Sequence, residues 1–420
     1  MIYDLIIVGA GAAGLFAGAS LPRRVNGLIL EKKAAPGRKL LMTGSGQCNL
    51  THGGSIKDFT ARYGENGPRI RSILYQFNNL SVADFFTARG VPLLEREDGK
   101  IFPRSLKSHD VLHVLMKSCM ENGLKIIGSS PVDSIARIGS GGSKNVSAAD
   151  FPFYTIRCGD SAYYAKNLLI AAGGCSYPAT GSDGDLFPIL GKMGFEINPL
   201  KPALVPIHTK RYPYRSLAGI SFPDAEVTVG RAKIRDALLL THTCFSGPAI
   251  LNLSRYARPG DTILINYCPG KSAEQIQKEL YQSAAGNNRQ LLTVLYEFFN
   301  GNSAGSSSEL PKRFLEAVCS RAGADPGEKA SRIPGSSLKA IAGFIVRDSF
   351  IIEKLGGFDT AMVTAGGVSL SEINIKTMES FKYPRLYFAG EVLDVDGDTG
   401  GYNLQFAFSS GRLAAHSALR

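Results

Sequence analysis

Residues 4–21 read DLIIVGAGAAGLFAGASL. Positions 5–8 form a short apolar run, long enough for a buried strand and far too short for a membrane span. Gly9, Gly11 and Gly14 then supply G-x-G-x-x-G where that strand must turn into a helix, with Ala10, Ala12 and Ala13 keeping the contact surface small. The first glycine permits the tight turn, the second lets backbone approach a pyrophosphate, and the third lets helix and strand pack closely. The leading N–H groups of the helix then face an anion. A second apolar run at 27–30 ends on Glu31, 22 residues beyond Gly9, where the fingerprint expects an acid for a ribose. Strand, glycines, helix and acid stand in register, so a dinucleotide is expected on an α/β, Rossmann-like unit.

A chain of 420 residues exceeds one typical core, and two or three packed units are expected. Hydrophobic content of 44% and charged content of 20% place it among ordinary globular proteins. No apolar run is long enough for a membrane helix, so no membrane partner is expected. Strand one begins almost at the first residue, which leaves no room for a signal peptide and points to the cytoplasm. The seven cysteines are odd in number, scattered and without C-x-x-C spacing, which argues against a disulfide framework and against a metal site. A net charge of +11 fits solvated surface charge, help with phosphates, or a nucleic-acid footprint. Lys and Arg nowhere form a block of five, and the densest basic clusters, at 31–39 and 104–107, lie beside the nucleotide motif. A small-molecule substrate is therefore expected ahead of a nucleic acid. The oligomeric state stays open.

Further along, residues 34–51 are rich in glycine, small residues and hydroxyls without a sustained period, and read as a long loop beside the ligand. Helical spacing at 68–89 is followed by a β-hairpin over 93–102 turning at Asp98-Gly99, then by a helix capped at Ser105 or Ser108. Strands are expected at 125–127, 131–138, 153–157 and 163–165, with a Gly/Ser-rich hairpin tip at 139–147. The run NLLIAAGG at 167–174 is an apolar strand ending in two glycines, and AMVTAGG at 361–367 repeats that ending. Pro199, Pro202 and Pro206 break regular structure and suggest a boundary. The expected division is 1–197 with 336–420 as a discontinuous nucleotide domain, 198–270 as an inserted β-rich domain, and 271–335 as an inserted helical subdomain. A final helix starts at Asn403, its free N–H groups pointing back at the ligand loop.

GAGAAG at 9–14, PGRKLLMTGSGQCN at 36–49, AAGGCSYPATGSDGD at 171–185, THTCFSGPAIL at 241–251 and LYFAGEVLDVDGDTGGYN at 386–403 together resemble one family. It is the bacterial YhiN-like or BaiN-type NAD(P)/FAD-dependent oxidoreductases, and the match runs the length of the chain in one motif order. The resemblance implies a glutathione-reductase-like FAD domain built from both chain ends, interrupted by a β-barrel-like and a helical insert. It implies that Gly9, Gly11 and Gly14 hold the FAD pyrophosphate, that Glu31 holds the adenosine ribose, that Val132 sits in the strand whose backbone passes the adenine, and that Ala12, Ala13 and Lys32 also bind the cofactor. It also places Gly37, Arg38, Lys39, Gly44, Gly46, Cys48, Asn49, Ala172, Gly173 and Gly174 beside the cofactor. Gly390 and Glu391 would meet the ribityl chain or pyrophosphate. Gly400, Gly401, Tyr402 and Asn403 would bring N–H groups to the pyrimidine edge, where a helix N-terminus stabilises negative charge on reduced flavin. The family loop commonly reads G-G-G-R-C-N; here Gln47 stands in the arginine's place.

Two candidates for proton chemistry follow. Tyr177, after the double glycine, could donate a proton opposite the hydride face or pack in its loop. His242, before the Ser246-Gly247-Pro248 helix start, could act as acid, substrate anchor or structural residue. Cys48 lacks a second thiol at dithiol spacing, and Asp394, Asp396 and Asp398 read as turn and capping residues. No second G-x-G-x-x-G provides a resident nicotinamide domain, so NADH or NADPH would be a transient donor. The expected function is FAD-dependent, NAD(P)H-linked reduction of a small or medium apolar carbonyl or enone-type substrate by hydride transfer at flavin N5. An oxidase using oxygen and a flavin-dependent RNA-modifying protein are the alternatives.

Overall fold

The apolar run after Met1 forms a strand, Ile2–Val8, at the centre of a parallel sheet. It pairs in parallel with Gly27–Leu30 on one side and Ser161–Ile170 on the other; Leu124–Ile127 and Leu386–Phe388 extend the two flanks, also in parallel. Leu5, Ile6 and Ile7 are fully buried, as a central parallel strand covered on both faces requires. Helix Ala12–Ala19 covers one face and lies against the closing helix Tyr402–Ala418. Their approach is close because Gly411 has no side chain: a Cβ there would stand 2.6 Å from the Ala13 carbonyl oxygen. Phe16 and Phe408 fill the next layer with stacked rings 4.6 Å apart. The architecture is α/β and Rossmann-like.

The computed structural model describes residues 1–138, 153–301 and 309–420. Two compact units emerge, one of Met1–Pro202 with Met362–Arg420, the other of Ala203–Ala361. In the second, strands Ile207–Thr209, Phe245–Ser246, Ala232–Leu240, Ser221–Val229, Thr262–Asn266 and Asp348–Leu355 close in that order into a barrel. Helices Ala273–Ala284, Leu291–Asn300, Lys312–Arg321 and Gly335–Val346 share its core, where Tyr214, Phe222, Tyr267 and Phe314 are fully buried together.

Several local expectations need correction. The second unit does not end at 335, because Asp348–Leu355 is the strand that closes the barrel between Ile207–Thr209 and Thr262–Asn266. The proline-rich stretch is itself a strand, Ile197–Ala203, in a two-stranded sheet with Val363–Val368; a strand with a single neighbour tolerates prolines because one backbone edge needs no N–H donor. The long loop holds a five-residue helix, Arg38–Met42, and a 3₁₀ turn, Thr43–Gly46. Asn78 caps Asn79–Thr87, and the helix Ser108–Glu121 starts without a side-chain cap. The strand to the double glycine is one ten-residue element, Ser161–Ile170. The hairpin tip at 139–147 and most of the small-residue segment at 301–308 lie outside the described residues.

Candidate nucleotide and redox site

At the carboxyl end of the first strand the three glycines have three distinct environments. Gly9 is left-handed (φ +101°), and a Cβ on it would stand 2.4 Å from the Ala171 carbonyl oxygen. Gly14 presses on the turn, where a Cβ would stand 2.0 Å from the Gly9 carbonyl oxygen. Gly11 is extended (φ −85°), and a Cβ there would meet nothing within 4 Å. It borders a cavity, so the open side of this glycine is a cradle for something other than protein. Glu31 ends the second strand almost buried; its carboxylate accepts from the Ala10 N–H at 2.9 Å and the Lys33 N–H at 2.8 Å. Both bonds aim the carboxylate at the glycine turn while leaving lone pairs for a further donor.

The same cavity is bordered by Lys32, Gly37, Arg38, Lys39, Val132, Ala172, Gly173, Glu391 and Asn403, together with Gly9, Ala12 and Ala13. Val132 lies just before its strand, Ser134–Arg137, rather than within it. At one margin the Lys32 ammonium bridges Asp183 and Asp185. Burial pulls the Lys32 pKa down, and the two carboxylates outweigh it and hold the group above its ordinary value. Deeper in, the Glu391 carboxylate takes the Lys39 ammonium at 2.7 Å, the Ser176 hydroxyl at 2.5 Å and the Thr364 N–H at 2.8 Å. Burial alone would raise its pKa; the charge of Lys39 and these hydrogen bonds prevail and hold the carboxyl below its ordinary range. Ser176 and Thr364 carry no motif of their own. Each does stand close to a double glycine, and that repetition was the available signal.

Other residues named from the sequence stand behind the cavity rather than on it. A Cβ on Gly174 would meet Thr364 Oγ1 at 2.4 Å, one on Gly390 the Ala13 methyl at 2.7 Å, and one on Gly401 the Thr51 carbonyl oxygen at 2.6 Å. Gly14 belongs to this packing group. Gly44, Ser45, Gly46 and Cys48 are all left-handed, so the turn is held in an unusual conformation. Cys48 is wholly buried, and burial pushes its thiol up to about 12, a poor setting for thiolate chemistry. The Asn49 amide, oriented to satisfy its neighbours, donates to the Thr51 carbonyl and accepts from the Gly401 N–H at 3.1 Å, tying this turn to the closing helix. Gln47, standing in the family's arginine position, accepts from Arg96 at 2.7 Å, and that guanidinium sits 4.0 Å over the Phe102 ring. Beside Gly400, Tyr402 stacks on His52 with ring centres 5.3 Å apart.

Tyr177 is left-handed (φ 53°), and its hydroxyl contacts the sulfur of Met362 at 3.6 Å. Met362 borders the cavity; Tyr177 stands behind it. Burial raises the phenol pKa. His242 belongs to the second unit, exposed on a turn closed by the Thr241 hydroxyl and the Cys244 carbonyl at 2.8 Å. Asp394 accepts from the Gly366 N–H and the Asn198 amide, and Asp398 pairs with Arg62. Among the described residues no group of three His, Cys, Asp or Glu could hold a metal ion, and no helix is long and apolar enough to cross a membrane.

A glycine turn open at Gly11, a helix N-terminus behind it and an acid at the end of the neighbouring strand form the donor and acceptor set that a dinucleotide needs. The residues present therefore fit FAD. The family description that matches, over residues 3–417, is the HI0933-like protein Rossmann domain. A protein of Haemophilus influenzae named ribosomal RNA dihydrouridine synthase is 31% identical over 421 residues, covering 99% of this chain and 98% of that one. Its namesake in Escherichia coli is 32% identical, covering 97% and 96%. The 3-dehydro-bile acid delta(4,6)-reductase of Clostridium scindens is 28% identical over 98% of both chains. Among solved structures, the fold resembles that of 3-ketosteroid-delta4-(5alpha)-dehydrogenase from Rhodococcus jostii, with a TM-score of 0.52 at 13% identity over 100% of this chain and 97% of that one.

Proposed function

The chain belongs to the HI0933-like Rossmann-domain family and is an FAD-dependent oxidoreductase; on that premise we propose that it reduces the C5=C6 bond of a uridine in RNA, with NADH or NADPH as visiting electron donor. The observation that carries this reading is the name shared by the two relatives that are 31% and 32% identical along nearly the whole chain. The net charge of +11 supports a polyanionic substrate over an apolar one. Uracil is moreover an enone-type ring, since its C5=C6 bond is conjugated to the C4 carbonyl. Saturating it adds a hydride at C6, the position β to that carbonyl, and a proton at C5.

Bound FAD would supply the two-electron hydride chemistry. The chain's own residues do the rest. The helix N-terminus behind Gly11 neutralises the pyrophosphate, and Glu31, already oriented by Ala10 and Lys33, accepts from the ribose hydroxyls. Lys39, held by Glu391 and Ser176, keeps a fixed positive charge inside the cavity. Tyr177, whose hydroxyl contacts the sulfur of Met362, supports that side chain where it borders the cavity.

A second reading, reduction of a free steroid-like enone acid, is favoured by the Clostridium scindens relative and needs the same hydride and proton steps. The test is anaerobic. The yellow protein is bleached with NADH or NADPH, then mixed with an unmodified uridine-containing ribosomal RNA fragment, with a 3-oxo-4-ene steroid acid, or with oxygen. Return of colour with the RNA, together with dihydrouridine in its digest, is the expected result. Return with the steroid and not the RNA would move the assignment to the second reading, and return with oxygen alone to an oxidase.

A further inference from the structure

We propose that Lys210, Arg211 and Arg215, with Lys312 and Arg313, form a docking face for the phosphate backbone of folded RNA. This rests on the RNA reading above and adds where, on the second unit, that partner is gripped. The first three residues follow the barrel strand Ile207–Thr209, and all three are exposed. Their backbone is fixed rather than loose. Lys210 donates its N–H to the Ile351 carbonyl, Tyr212 exchanges hydrogen bonds with Thr241, and Tyr214 is fully buried with its hydroxyl on Asp348. Lys312 and Arg313, also exposed, open the helix Lys312–Arg321, and Arg313 donates to the Ser216 carbonyl at 2.6 Å. That bond sets the helix start, with its two cations, beside the loop that carries the other three.

Two features separate this face from ordinary surface charge. Other exposed basic side chains of the same unit are either matched by acids, as Lys233 with Glu226, Arg235 with Asp224 and Arg289 with Glu297, or, among the described residues, stand without an ion pair one at a time along the chain, as Arg231, Lys278 and Lys354 do. Among the described residues none of the five has an acidic side chain within ion-pair distance. Lys312 and Arg313 also occupy the first turn of their helix with no acid there, which is where the helix dipole disfavours cations. A local electrostatic rule broken twice at an exposed site marks a place selected for something other than stability. Five fixed cations without acids attract a polyanion through counterion release. An RNA fits better than an anionic membrane, because neither 210–216 nor 312–313 contributes an exposed large apolar side chain for insertion. The turn carrying His242 adjoins through the Tyr212–Thr241 bonds, which gives that exposed imidazole a place at the margin of this face.

The test uses the FAD-loaded protein carrying Lys210→Gln, Arg211→Gln, Arg215→Gln and Lys312→Gln. Arg313 is left in place because it tethers the helix. Binding to a ribosomal RNA fragment is followed by fluorescence anisotropy across a salt series. Losing four phosphate contacts should lower the slope of log K against log salt by about 3 and the affinity at low salt by about 10²–10³-fold. Reoxidation of the bleached protein by a single uridine nucleoside should be unchanged, since that acceptor has no backbone to grip. A control with Lys233→Gln, Arg235→Gln and Arg289→Gln, which removes matched charges, should move the slope far less. Wild-type slope and affinity in the fourfold variant, or an equal loss in the control, would overturn the docking face while leaving the RNA reading intact. A wild-type protein that binds phosphatidylserine vesicles and not RNA would overturn both.

Discussion

Gly11 and Gly14 sit three residues apart in one motif, and the structure gives them opposite constraints. A side chain at Gly11 would enter open space with extended backbone, whereas one at Gly14 would collide with the Gly9 carbonyl. Gly11→Val should therefore fold with a near wild-type circular dichroism melt and emerge colourless, its branched side chain filling the pyrophosphate's approach. Gly14→Ala should lose stability by about 1–3 kcal/mol through overpacking, with FAD loss following from the distorted turn. A folded, yellow Gly11→Val protein would contradict the assigned cradle. At this scale the sequence was legible where a residue's work is local. The glycines and Glu31 fall within one strand–helix–strand stretch, so spacing alone identified them. Lys39 and Glu391 were named as separate contacts, and their pairing was illegible because they stand 352 positions apart.

Glu391 belongs to the scale of elements, because its carboxylate joins four of them: the short helix Arg38–Met42 through Lys39, the loop after Ser161–Ile170 through Ser176, the strand Val363–Val368 through Thr364, and its own turn Gly390–Val392. Glu391→Gln should cost about 2–3 kcal/mol at neutral pH, less than the ~3–5 of a fully buried pair because part of each side chain reaches solvent. The pH dependence has a definite sign. A carboxyl whose folded pKa lies below its ordinary 4.5 contributes stability that is present above that value and lost as pH falls through the depressed one. Urea midpoints of wild type and variant should thus differ at neutral pH and converge in acid; a constant gap would show that the carboxylate's charge is not what matters. The elements themselves were legible in proportion to their length and period. The parallel strands and the hairpin around Asp98-Gly99 announced themselves, whereas Arg38–Met42 is too short to show a period. The strand Ile197–Ala203 hid behind its prolines, since a sequence cannot say which backbone edge will go unpaired.

For the whole molecule, the α/β layout could be read from both ends of the chain inward, because the strands Ile2–Val8, Ser161–Ile170 and Leu386–Phe388 of the Rossmann-like sheet each run on to a glycine, at 9, 173 and 390. The barrel resisted for a non-local reason. Its last strand, Asp348–Leu355, follows the run of helices and pairs back to residues 207–209 and 262–265, and no local pattern encodes that return. What fixes it chemically is a cluster at the strand's first residue. Asp348, 1% exposed, accepts both arms of the Arg321 guanidinium at 2.8 Å and the Tyr214 hydroxyl at 2.5 Å, so helix, barrel strand and barrel loop meet on one carboxylate. Removing one partner strands the other's charge in an apolar core, and Asp348→Asn or Arg321→Leu should each cost about 3–5 kcal/mol. Exchanging both for leucine removes the stranded charge as well, so Asp348→Leu with Arg321→Leu should cost clearly less than the two single changes added together. Urea unfolding followed by circular dichroism on the three variants measures this coupling. Additive losses would mean that the ion pair contributes nothing jointly, and that packing of Tyr214 and Phe314 alone holds the returning strand in its register.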